Sequence, residues 1–200
     1  MENGMNRVAR FSGLAAGLVF MAALVGFGVA LEGYAHRDYP VALLGATGFP
    51  RALAFNMLAF VLPGMLAGVT ALELRRRLPA DAGWPLRIGA QLVFLSTLAF
   101  IAMGLFPLDP NDLESQRSQF HGTAWMLWSV AFIPGAVLLG ATLLSRPRWS
   151  RFAWASLMAA AGLLIAGFVL TDFMPAGIAQ RIAFGLWFAW LALAGWPTGR

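Results

Sequence analysis

Residues 86–121 read LRIGAQLVFLSTLAFIAMGLFPLDPNDLESQRSQFH, and how this stretch divides decides the architecture of the chain. Its first part, residues 86–106, carries one charge, Arg87, close to its start and is otherwise largely apolar. About 20 such residues, rising 1.5 Å each, match the ~30 Å hydrocarbon layer of a bilayer, so the run reads as a membrane-spanning helix. The remainder holds Asp109, Asp112 and Glu114, three of the nine carboxylates, then Arg117 and His121, one of two histidines. A polar link between two oily runs belongs at a membrane surface.

Composition extends that reading to the whole chain. Of 200 residues, 60% are hydrophobic and 12% charged, and mean hydropathy is +0.72. A water-soluble domain is roughly one quarter charged, so this chain lacks the polar atoms to cover a wetted surface. The absence of cysteine excludes disulfides, thiolate metal sites and a cysteine nucleophile. All fourteen basic residues are arginine, which excludes lysine Schiff-base chemistry. The net charge of +5 does not imply nucleic acid as a partner, because the arginines fall in short links between apolar runs, where they set topology.

Working outward, the spacing predicts an all-α bundle of six transmembrane helices, over residues 11–31, 53–74, 86–106, 120–144, 152–171 and 178–195, with residues 1–200 forming a single integral membrane domain. Arg7 and Arg10 precede the first run as in a signal peptide. Its apolar core exceeds the roughly 7–15 residues of such a segment, and no small-residue cleavage pattern follows, so it reads as a retained helix. Pro50 suits the first turn of the second helix. Residues 41–49 are apolar with two glycines and lie in the interface or dip back into the bundle.

With both termini cytoplasmic, Arg7, Arg10, Arg75, Arg76, Arg77, Arg87, Arg146, Arg148, Arg151 and Arg200 lie inside, and Arg37, Arg51, Arg117 and Arg181 outside. Ten against four is the expected positive-inside bias of a multi-pass membrane protein. The outer face is then acidic, with Glu32, Asp38, Asp109, Asp112, Glu114 and Asp172.

Helices two and four share a short pattern. Ala59-Phe60-Val61-Leu62-Pro63-Gly64 is echoed by Ala131-Phe132-Ile133-Pro134-Gly135. A mid-membrane proline frees a carbonyl one turn earlier, near Ala59 and Val130, which either curves the helix or lines a cavity. Gly104 with Asp109, Gly167 with Asp172 and Gly28 with Glu32 repeat a glycine-then-carboxylate ending, consistent with helical hairpins in parallel. Gly13-xxx-Gly17 and Gly64-xxx-Gly68 offer small-residue faces for close helix packing.

Polar residues gather towards the outer ends. Asn56, Asp109, His121, Asp172 and Arg181 form the expected ligand-binding set, with Glu32, His36, Thr123 and Gln180 nearby. Ionisable groups at membrane depth are expensive unless paired or hydrated, and so mark sites. The plainer alternative is that Asp109, Asp172, Arg117 and Arg181 pair at headgroup level. His36, His121 and Asp109 could serve as zinc ligands, but no H-x-x-x-H or H-E-x-x-H spacing assembles them, so no metal or cofactor is expected. Ser115 and Ser118 lack the glycine elbow of a nucleophile. Trp84, Trp149, Trp154 and Trp196 read as interface anchors. Trp125, Trp128, Trp187 and Trp190 read as anchors or packing.

The order Tyr39-Pro40-Val41-Ala42-Leu43-Leu44-Gly45-Ala46, Asn56, Gly104-Leu105-Phe106-Pro107-Leu108-Asp109, His121-Gly122 resembles a bacterial and archaeal membrane family catalogued as domain of unknown function nine-nine-eight. The likeness covers about residues 10–195. Ala42 stands where that family commonly has a serine. The resemblance implies a six-helix bundle and groups Asp109 with His121, and it brings no activity. Three functions are consistent with the sequence. The first is binding of a membrane lipid or small amphiphile in a pocket open to the extracytoplasmic side. The second is an intramembrane metal-assisted hydrolase, and the third a structural subunit held by a partner membrane protein.

Overall fold

A computed structural model describes residues 2–79, 81 and 83–196. Among them there is no strand, and six helices are long and apolar enough to cross a membrane. They are α1 (Glu2–Ala30), α2 (Ala52–Arg77), α3 (Gly83–Leu105), α4 (Gln116–Leu143), α5 (Ser150–Phe168) and α6 (Ala176–Gly195). The protein is a multi-pass membrane protein. Each helix packs against the next in sequence, and α6 returns to α1, so the six form a closed ring. Short links make chain neighbours antiparallel, as hairpins require. The cytoplasmic placement expected for the termini rests partly on Arg200, which lies outside the described residues.

Aromatic rings fill the ring's centre. Phe100 of α3 lies 4.6 Å from Trp187 of α6 and 5.3 Å from Phe60 of α2, centroid to centroid. Trp128 of α4 sits 5.0 Å from Phe184, and Phe20 of α1 4.7 Å from Phe188. Lipid is as apolar as these side chains, so dispersion and close fit, not water exclusion, hold them together. Trp128, Trp187 and Trp190 are therefore core residues, and the Trp190 indole N–H donates to Ser156 Oγ on α5 at 2.9 Å. Trp84 and Trp154 face outward, as do Leu18 (62% exposed), Met158 (66%) and Val29 (80%).

Glycine decides how near the helices approach. A Cβ at Gly13 would collide with the Leu191 carbonyl of α6, and one at Gly195 with the Arg10 carbonyl of α1. Between α3 and α4, a Cβ on Gly89 would stand 3.0 Å from the Gly135 carbonyl. These crossings bring backbone onto backbone, where a side chain would force the helices apart.

The two proline motifs behave differently. Pro63 follows a π-helical turn, Met57–Val61, in which the Leu62 N–H reaches back to the Met57 carbonyl. The turn absorbs the mismatch that a missing N–H creates. Pro134 lies within an unbroken α4. Ala59 is buried but Val130 is exposed, so a carbonyl freed at that turn lies on the lipid side of α4 and not on a cavity.

Helix starts also differ from the expected ones. α4 begins at Gln116, not 120, because Ser115 Oγ accepts the Ser118 N–H, satisfying one of the free amides of a first turn. α2 begins at Ala52 after Arg51, whose φ of 60° is left-handed, so Pro50 lies in the preceding turn. Residues 41–49 fold over the bundle end, with Val41–Gly45 in a 3-10 turn and Val41, Leu44, Gly45 and Ala46 buried.

Candidate functional site

His121 occupies the second turn of α4, facing the end of α3. The last carbonyls of a helix have no partner inside it. Nδ1 of His121 lies 3.0 Å from the Met103 carbonyl and 2.9 Å from the Phe106 carbonyl. Both are acceptors, so Nδ1 carries the proton and donates to the pair. The ring meets Phe60 edge-on at 6.4 Å. In this geometry His121 fastens the start of α4 to the end of α3.

Asp109 turns its carboxylate onto its own loop, where Oδ1 accepts the Asn111 N–H at 3.0 Å. Its backbone N–H donates to Ser118 Oγ at 3.0 Å, and the Ser118 hydroxyl donates to the Asp112 carbonyl at 2.9 Å. Asp109 and His121 thus brace the same link, and no hydrogen bond joins their side chains among the described residues. Asn56, on the last turn before the π segment, donates from Nδ2 to the Gly45 carbonyl at 2.8 Å. The Thr47 N–H donates to the Leu108 carbonyl at 2.8 Å. Together these bonds sew the α1–α2 loop, α2 and the α3–α4 loop into one cap.

Arg181 anchors a separate cluster. Its guanidinium donates to the Gly177 carbonyl (2.7 Å), the Tyr39 carbonyl (3.0 Å), the Tyr34 hydroxyl (2.7 Å) and His36 Nδ1 (3.2 Å). Gln180 Oε1 accepts the Val41 N–H at 3.1 Å. Residues 34–41 are thereby clamped onto the start of α6. Burial, and then the adjacent guanidinium, hold the His36 imidazole below its ordinary value. Burial raises the Tyr34 phenol, with Arg181 pulling partly the other way. Asp172 stands exposed after α5 and forms no ion pair with Arg181 among the described residues.

The five expected site residues therefore fall into three places: Asn56, Asp109 and His121 in the cap, Arg181 in the clamp, and Asp172 on the surface. Among the described residues no three His, Asp or Glu side chains gather as a metal site would require.

Beside the cap lies a cleft of about 580 Å3 between the starts of α2 and α4 and the end of α3. Leu53, Met57, Leu105, Phe106 and Phe120 make it apolar. Asn56, Thr47, Gln116 and Arg117 add its polar groups. Arg117 is exposed and forms no ion pair or side-chain hydrogen bond among the described residues. The Thr47 hydroxyl is shut from solvent without a partner. Asn56 is the one residue of the expected set that lines this cleft. In the sequence Arg117 stands out only as a pairing residue, and Gln116 and Thr47 do not stand out at all. The available signal was Ser115 as a cap, because a helix starting at Gln116 puts Gln116, Arg117 and Phe120 on one face.

The family model described as "Protein of unknown function (DUF998)" matches residues 14–197. No curated protein and no solved structure matches the chain.

Proposed function

We propose that this chain, which belongs to the DUF998 family, binds a membrane amphiphile with an anionic head in the cleft between α2, α3 and α4. The observation that carries the reading is the cleft's own polarity: apolar walls, with the unpaired Arg117 at its edge. An acyl or isoprenoid chain suits Leu53, Met57, Leu105, Phe106 and Phe120, where leaving lipid for protein changes little in solvation but gains shape fit. A phosphate or carboxylate suits Arg117 and Gln116, where a charge-assisted hydrogen bond contributes about 1.5–3 kcal/mol. Asn56, His121 and Asp109 serve this site by holding its walls, as parts of the cap.

The arginine distribution supports an orientation with both termini cytoplasmic, which opens the cleft to the extracytoplasmic side, and the membrane proposed is a bacterial inner membrane. The hydrolase reading has no comparable support, because His36 is engaged with Arg181, and His121 with the end of α3.

Native mass spectrometry of gently extracted protein tests the proposal. An anionic amphiphile should remain bound to the natural chain. Arg117→Gln should weaken retention about tenfold or more, the loss expected for one charge-assisted bond. Ala52→Trp, which fills the cleft, should remove the amphiphile. Equal retention in all three proteins would refute the reading.

A further inference from the structure

At the other end of the bundle, α2 finishes and α3 begins around a second hollow, of about 360 Å3. Arg75 and Arg76 come from the last turn of α2 and Arg87 from the first turns of α3, with Leu78, Leu86 and Ala90 adding apolar surface. We propose that this hollow is a second lipid site, which takes the phosphodiester of an anionic glycerophospholipid.

Charge bookkeeping favours an anion here. Arg75 and Arg87 form no ion pair or side-chain hydrogen bond among the described residues. Arg76 approaches Glu73 only to 3.9 Å, and the other oxygen of that carboxylate is held by Arg77 at 2.9 Å. Asp81, in the same link, gives both oxygens to Arg146 at 3.0 Å. Three arginines therefore line one hollow with one weak, shared counter-charge among the described residues. Arg87 also lies near the positive end of the α3 dipole, an unfavourable place for a cation unless an anion joins it.

A positive-inside bias accounts for arginines on this side but not for three of them lining one hollow together with Leu78, Leu86 and Ala90. Planar guanidinium forks match phosphate oxygens in pairs, and the apolar residues beneath them match the glycerol ester and the first methylenes. Basic hollows between membrane helices on the cytoplasmic side recognise anionic headgroups by this same chemistry. A zwitterionic lipid carries its own cation and gains less.

The test uses full-length protein in detergent, titrated by native mass spectrometry with dioleoylphosphatidylglycerol, dioleoylphosphatidylcholine or inorganic phosphate. Phosphatidylglycerol should bind more tightly than phosphatidylcholine. Each of Arg75→Gln, Arg76→Gln and Arg87→Gln should weaken phosphatidylglycerol about fivefold, and the triple variant about a hundredfold. All three side chains are exposed, and unchanged melting of the variants checks that the fold is intact. Arg148→Gln with Arg151→Gln, around the start of α5 on this side, should leave binding unaltered, and every titration is made in the Arg117→Gln background so that the cleft does not contribute to the binding that is read. Undiminished binding in the triple variant overturns the proposal, as does an equal loss in the Arg148/Arg151 pair. Competition by inorganic phosphate at concentrations equal to the lipid would make this a small-anion site and also overturn it.

Discussion

One imidazole N–H shared between two carbonyls makes His121 a cap for α3, and that role can be measured. His121→Ala leaves the Met103 and Phe106 carbonyls without their donor and should lower stability by about 1–3 kcal/mol. His121→Asn keeps an N–H near the same point and should recover part of the loss. Thermal melting in detergent reads both, and equal melting of all three proteins would disprove the capping role. His36 behaves differently because it accepts from Arg181 and must be neutral to do so. Its value is depressed in the clamp, so an undocked loop binds more protons than a docked one between the docked value and about 6.5. Docking strength is then complete above about pH 6.5 and declines as pH falls through that point. Amides of residues 33–41 should exchange faster at pH 5.5 than at 7.5, after correction for intrinsic rates, and His36→Phe should remove the difference. Identical protection at both pH values would contradict the clamp. At this scale the sequence showed which residues are polar and gather at one end of the helices. It did not show their partners, because Arg181 finds Tyr34 and His36 some 145 positions away through the closing of the ring.

Among elements, contact between α1 and α6 depends on Gly13. A methyl there would meet the Leu191 carbonyl, whereas one at Gly26 meets nothing within 4 Å. Gly13→Ala should therefore lower stability by about 1–3 kcal/mol, as overpacking does, while Gly26→Ala should cause no loss. Melting temperatures that fall equally for both would mean that glycine content, not the crossing, is at issue. The helices themselves were legible because length and hydropathy are properties of single segments. The π turn of α2 was not, although Pro63 is plain in the sequence. It packs closely on Gly104 of α3, where a Cβ would stand 2.7 Å from Phe60 Cβ and 2.9 Å from the Asn56 carbonyl, and that contact belongs to two helices, not to one segment. The same proline-glycine pattern at Pro134 leaves α4 continuous, so the motif alone does not dictate the distortion.

For the molecule as a whole, the proposed orientation follows from arginine counting, and the absence of native cysteine makes it testable with single labels. Asn111→Cys should react with a membrane-impermeant maleimide in spheroplasts, and Ser145→Cys only after lysis. The reverse pattern would invert the topology. The cap was legible in outline, since Asn56, Asp109 and His121 all belong to it. The cleft beside it was not, because three helix ends make it jointly and no one segment carries its signature. Whether that cleft holds an amphiphile is most directly tested by photolabelling reconstituted protein with an anionic phospholipid bearing a diazirine in its acyl chain. Adducts should concentrate on peptides from residues 47–57 and 104–120 and should fall sharply in Arg117→Gln. Adducts spread evenly over outward-facing positions such as Leu18, Met158 and Leu193, and unchanged in Arg117→Gln, would contradict the account.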